Sequence, residues 1–227
     1  MRQKYPRILK NRCSFIASLV AGKSVLDIGC VGHTLENCVQ SHWLHEYLKR
    51  SAKTILGLDY EKDEIEKMKN AGYNVISADA TDFHLNQKFE VIVAGELIEH
   101  ICNPGLFLQC TKEHLSDGGR LILTTPNANC LVYFLENLFL GKEIENSDHV
   151  CIYSPKTLSK LLEKNGFMAQ NIIFLAENTS FYHDSPMIKL LVHIKQILQS
   201  IFCLFRPCMA HQMIIIATVD QEKSKDT

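Results

Sequence analysis

Val25-Leu26-Asp27-Ile28-Gly29-Cys30, answered further along by Gly57-Leu58-Asp59-Tyr60, decides how this chain folds. Each stretch is a short apolar run that ends around a carboxylate. A run of that length reads as a buried strand, and its carboxyl edge is where open α/β sheets bind ligands. Two such edges in succession point to a nucleoside-type ligand, because an acidic residue after the second strand can accept both hydroxyl protons of a ribose.

The same residues argue against a dinucleotide. Pyrophosphate needs close backbone approach and bare N–H groups, hence three glycines in register. Here only Gly29 is in place, Val31 and His33 stand where the others belong, and Gly32 is displaced by one position. Asp27 would also repel a phosphate, whereas it suits a ligand carrying positive charge, such as the ammonium and sulfonium of S-adenosylmethionine. Asp27 and Asp59 lie 32 positions apart (59 − 27), against about 20 in the dinucleotide fold. The loop around 33–41 is therefore expected to be enlarged and to fold over the ligand.

Outward from this pair the chain alternates strand and helix. An amphipathic helix is expected at 8–21, strands at 25–29 and 54–58, and helices at 35–51 and 61–71, the latter stopped by Asn70-Ala71-Gly72. Strands follow at 74–77, 89–94 and 120–124, with a helix at 103–115 and the turn Asp117-Gly118-Gly119 between the last two. A helix at 155–165 and late strands at 171–175 and 213–219 complete the order. This predicts an α/β, Rossmann-like, doubly wound fold: a mostly parallel seven-stranded sheet with an antiparallel edge and helices on both faces. A single domain is expected over 1–220, with a helical insertion at about 176–210 and a disordered polar tail at 221–227.

Composition excludes several function classes. The 227 residues are 46% hydrophobic, enough for a full core, and the net charge is −1 with both signs interspersed, so DNA is not an expected partner. Nine cysteines include no Cys-x-x-Cys pair of the kind that reads as zinc or redox chemistry. The amino terminus lacks the order of a secretory signal, and a cytoplasmic location follows as the expectation.

Six pieces in order resemble the class I S-adenosylmethionine-dependent methyltransferases, particularly the branch of ubiquinone-type O-methyltransferases. They are Val-Leu-Asp-Ile-Gly-Cys at 25–30, Gly-Leu-Asp at 57–59, Ser-Ala-Asp-Ala-Thr-Asp-Phe at 77–83, and Val-Ile-Val-Ala-Gly-Glu-Leu-Ile-Glu-His at 91–100. The others are Leu-Ser-Asp-Gly-Gly-Arg-Leu-Ile-Leu-Thr-Thr-Pro-Asn at 115–127, and His149 ahead of Tyr-Ser-Pro and Lys-Asn-Gly-Phe. The resemblance implies roles. Asp27, Gly29 and Gly32 lie beside the methionine part, Asp59 holds the ribose, Asp79 and Ala80 meet the adenine, and Gly95 with Glu96 close the pocket. Asp79 has a second reading as a turn or cap residue, since Asp-Ala-Thr-Asp is also good capping chemistry.

An oxygen acceptor must also lose a proton. If a helix starts directly after the strand at 89–94, Glu96, Glu99 and His100 share one face at i, i+3 and i+4, and His149 can join them from a later loop. His100, Glu99 and His149 are the candidate catalytic residues. With Glu96 they are also candidate ligands of a divalent metal, and relatives with such a set include metal-dependent enzymes; two imidazoles favour zinc, manganese or iron over magnesium.

The expected activity is methyl transfer to an oxygen of a small molecule: a quinone, a lipid-linked acceptor or a sugar. Nitrogen and carbon acceptors, an RNA 2′-O-methyltransferase and a non-catalytic scaffold on the same fold are the alternatives. Residues 186–205 carry an apolar stripe (Met187, Leu190, Leu191, Ile194, Leu198, Ile201, Phe205) broken by Lys189, His193, Lys195 and Gln196, short of the ~20 mainly apolar residues of a spanning helix. Packing on the sheet or a second copy, a peripheral membrane contact, and a lid over a lipid-like acceptor are its three competing uses.

Overall fold

Strands form where the apolar runs lie, and each ends within a residue or two of the group it presents. In the computed structural model, which describes residues 8–9, 11–32, 43–141, 146–175, 197, 201–203 and 205–220, they are β1 (Ile8–Leu9), β2 (Ser24–Ile28), β3 (Thr54–Asp59), β4 (Val75–Ser77), β5 (Phe89–Gly95), β6 (Leu115–Pro126), β7 (Phe167–Leu175) and β8 (Gln212–Val219). They make one sheet in the order β1-β7-β8-β6-β5-β2-β3-β4. Only β8 runs against the rest, pairing antiparallel with both β6 and β7. The seven expected strands are all present. The eighth, β1, lies beside β7 with Ile8 opposite Phe174.

Side chains alternate along each strand, so the sheet buries two faces. Leu26, Ile28, Ile92, Leu121 and Ile215 pack on one side with Phe107 and Leu158, supplied by the helices Pro104–His114 and Pro155–Lys164. Val25, Val93, Ile122 and Ile214 face the other side with Ile16 and Leu48, from the helices Arg12–Leu19 and Leu44–Ser51. Asp27 shares the Val25 face, and therefore points at the helix Leu44–Ser51.

Three expectations are corrected. The leading helix starts at Arg12 rather than residue 8, because Asn11 caps it by accepting from the Ser14 amide at 2.9 Å while Ile8–Leu9 join the sheet. Between the expected strand at 120–124 and helix at 155–165, where no element is expected, a helix spans Leu131–Leu140 and Gly141 ends it in the left-handed region at φ 60. No helix begins directly after β5: Ile98–His100 is a single 3-10 turn. The presumed loop at 33–41, most of the stripe at 186–205 and the tail lie outside the described residues. Among the described residues no helix is long and apolar enough to cross a membrane.

Candidate functional site

At the carboxyl ends of β2 to β5 the sheet opens into a cavity of about 960 Å³ whose walls include Asp27, Asp59 and Asp79. Each carboxylate is held differently. Asp59 closes β3, is 7% exposed, and accepts from the backbone amides of Val31 at 3.0 Å and Glu61 at 3.2 Å. Burial raises its pKa above the usual carboxylate value, and those N–H bonds pull the other way. Asp79 is exposed and takes both the amide and the hydroxyl of Thr81 at 2.7 Å, which lowers its pKa. The turn role and the place on the cavity wall are therefore both real, and Ala80 lies buried beside it. Asp27 is 2% exposed and its Oδ2 is 2.8 Å from His45 Nδ1.

The glycines do what the turn needs. Gly29 (φ 79) and Gly32 (φ 58) both adopt the left-handed region. The Gly29 and Cys30 amides donate to the Leu58 carbonyl, and the Val31 amide goes to Asp59. Amides occupied in this way cannot cradle a pyrophosphate, which accords with the missing glycines.

Glu96 lines the cavity, yet it sits apart from the other expected acid–base residues. Among the described residues it is the non-glycine residue with positive φ, at 51, and its side chain meets the sheet. There its Oε1 meets Arg12 Nη1 at 2.9 Å and accepts from the Thr124 hydroxyl at 2.7 Å, and Oε2 accepts from Gln212 Nε2 at 2.9 Å. The expected common face with Glu99 and His100 is thus overturned, because the chain reverses at Glu96 before the 3-10 turn begins.

Glu99, His100 and His149 do come together, with one donor atom from each within 4.8 Å of the others. The Val150 and Cys151 amides donate to the Glu99 carbonyl and clip the later loop onto the turn. The two imidazole centroids are then 4.7 Å apart. Glu99 is wholly buried; Oε2 accepts from the Thr125 hydroxyl at 3.0 Å, and among the described residues Oε1 has no hydrogen-bond partner. Burial first, and the charge of Glu96 second, push its carboxyl up to about 8. Of the three, His100 is the one on the cavity wall. Its Nδ1 lies 3.1 Å from the Asp148 carbonyl, so Nδ1 carries the proton and Nε2 the lone pair.

Arg12 and His45 also line the cavity, and sequence reasoning missed both. Each meets its carboxylate across the fold, Arg12 from the leading helix and His45 from the second. Neither pairing follows any local spacing.

A family model described as a methyltransferase domain matches residues 1–171. The chain is 28% identical over 182 residues to the human mitochondrial ubiquinone biosynthesis O-methyltransferase, covering 72% of this chain and 47% of that protein. To the ubiquinone biosynthesis O-methyltransferase of Pseudomonas fluorescens it is 26% identical, covering 74% and 75%. It spans about half the length of the mammalian relatives. Among solved structures, an S-adenosylmethionine-dependent methyltransferase from Archaeoglobus fulgidus superposes with a TM-score of 0.56 at 19% identity, covering 91% of this chain and 94% of that one. The magnesium protoporphyrin IX methyltransferase of Synechocystis, with bound SAH, gives 0.57 at 13%, covering 90% and 80%. At those identities the likeness is one of fold.

Proposed function

This chain belongs to the methyltransferase-domain family, and from that premise we propose that it transfers the methyl group of S-adenosylmethionine to an oxygen of a small molecule. The observation that carries the reading is the gathering of Asp27, Asp59 and Asp79 on the wall of one cavity. Their spacing along three successive strand ends matches a ligand with a cationic amino-acid end, a ribose and a base. Asp59 takes the two ribose hydroxyls, Asp79 the adenine amino group through the oxygen that Thr81 leaves open, and Asp27 the ammonium. The relatives named for ubiquinone biosynthesis support an oxygen acceptor of quinone type.

Transfer needs the acceptor oxygen in line with the methyl–sulfur bond. As the oxygen–carbon bond forms, the carbon–sulfur bond breaks, its electron pair stays on sulfur, and S-adenosylhomocysteine leaves. The sulfonium is already activated, so the protein's contribution is alignment and exclusion of water. The acceptor's hydroxyl proton goes to His100 Nε2, which the Asp148 carbonyl keeps free by holding the proton on Nδ1. Arg12 fixes Glu96 on the cavity wall.

A metal-assisted version is favoured by one observation: among the described residues the buried Glu99 Oε1 has no hydrogen-bond donor, as a carboxylate facing a cation site would. Glu99, His100 and His149 fit a divalent ion as its protein ligands; Glu96, tied to Arg12, does not join them. Such an ion supplies Lewis acidity that lowers the pKa of a bound hydroxyl.

A peripheral position at a membrane accords with exposed Phe134, Leu138 and Phe139 on the helix Leu131–Leu140. Calorimetry with S-adenosylhomocysteine tests the central reading. Saturable one-to-one binding is the expected result, and its absence overturns methyl transfer and leaves the scaffold alternative. Salt-sensitive binding of RNA would move the acceptor class to nucleic acid.

A further inference from the structure

His45 is a side chain with no part in the reading above, and it is among the most buried polar groups in the molecule, at 1% exposure. It stands in the first turn of the helix Leu44–Ser51, with its Nδ1 2.8 Å from Asp27 Oδ2. Its ring is seated between Trp43 and Tyr73, at centroid distances of 5.4 and 5.8 Å. The neighbouring strand leaves room for it: a Cβ on Gly57 would come within 2.9 Å of His45 Cε1 and 2.8 Å of Val75 Cγ1. A glycine in the interior of a strand costs stability, and here it opens a slot that the imidazole fills.

Hydrogen bonding fixes the form of the ring. Nδ1 faces a carboxylate and so donates; among the described residues Nε2 has no hydrogen-bond partner. The bond to Asp27 therefore sets the orientation of the ring. Among the described residues, only Oδ2 of that carboxylate is engaged by a side chain, and Asp27 itself lines the cavity. A carboxylate pinned by one oxygen presents the other in a fixed direction.

We infer that His45 is a positioning residue for the methyl donor: by holding Asp27 Oδ2 from behind, it aims Oδ1 at the ammonium of the methionine end. The inference rests on the proposed binding of S-adenosylmethionine and extends it to a residue that acts through Asp27. It also explains why Asp27 serves with almost no exposure, since the imidazole takes the place of water at its inner oxygen.

The test compares two probes on the intact protein by calorimetry: S-adenosylhomocysteine, which has the amino-acid end, and 5′-methylthioadenosine, which lacks it. His45→Phe keeps an aromatic ring and loses the donor. It is expected to weaken S-adenosylhomocysteine about ten- to a hundredfold while leaving 5′-methylthioadenosine within about twofold. His45→Asn returns a donor near the Nδ1 position and is expected to restore most of the difference. Equal weakening of both probes makes His45 a packing residue and overturns the inference, as does unchanged binding of both. Should His45→Phe fail to fold, His45→Leu, which also lacks a donor, carries the same comparison. If the wild-type protein binds neither probe, the functional reading fails first, which is a different outcome from wild-type binding with no split between the probes.

Discussion

Asp59 is the residue whose chemistry is most open to measurement. Asp59→Asn keeps an acceptor for the Val31 amide but loses the charge, and S-adenosylhomocysteine binding is expected to weaken by about 1–3 kcal/mol with the fold intact, as calorimetry and circular dichroism would show. Its pH behaviour has a definite sign. Burial holds the folded-state pKa above the ordinary value, so within that window the folded chain keeps a proton the unfolded chain has lost. The contribution of Asp59 to the ligand-free protein is then fully present at low pH and lost as pH rises through the window. Urea unfolding across about pH 4 to 7 should show that slope in the wild type and a smaller one in Asp59→Asn. Ligand affinity runs the opposite way, falling as acidification neutralises the carboxylate. For the acid–base side, His100→Ala should lower turnover with S-adenosylhomocysteine affinity nearly unchanged; equal loss in both would place His100 in the cofactor wall instead. At this scale the sequence announces Asp27, Asp59 and Asp79, because each sits at or just beyond the end of an apolar run. It is silent on His45 and Arg12, since nothing near either residue in the chain names its partner.

Elements are legible where period and punctuation agree. The helix Pro155–Lys164 carries a reciprocal capping box between Ser154 and Thr157 and stops at Asn165-Gly166, and both ends can be read from those residues. The segment after β5 cannot, because the backbone reversal at Glu96 is imposed by Arg12, Thr124 and Gln212, all brought in by tertiary contact. The helix Leu131–Leu140 is apolar nearly all round, so it offers no clear amphipathic period. Strand β3 depends on a missing side chain. Gly57→Ala would drive a methyl to within 2.8–2.9 Å of Cys30 Sγ, Val75 Cγ1 and His45 Cε1, and is expected to destabilise the protein by about 1–3 kcal/mol through overpacking. Chemical denaturation gives the value, and a loss no larger than that of an exposed substitution would mean the slot is slack.

For the whole molecule, the cofactor groups come from residues 27 to 79, one compact run of strand ends, whereas the acid–base cluster joins residues 99 to 149 and Glu96 reaches as far as Gln212. Alternating strand and helix made the doubly wound architecture readable. The place of β8 between β6 and β7 followed from no local signal beyond the late apolar runs. Ile214 is wholly buried at the centre of that strand, and Ile214→Ala should cost about 2–5 kcal/mol, read from the shift of the urea midpoint. Since β8 fills a slot inside the sheet and supplies one of the clasps on Glu96, the sheet cannot close until Gln212–Val219 has been made. A nascent chain halted short of Gln212 would expose two unsatisfied strand edges to the cell, and quality control would meet it as an adhesive fragment with no half-working form to spare.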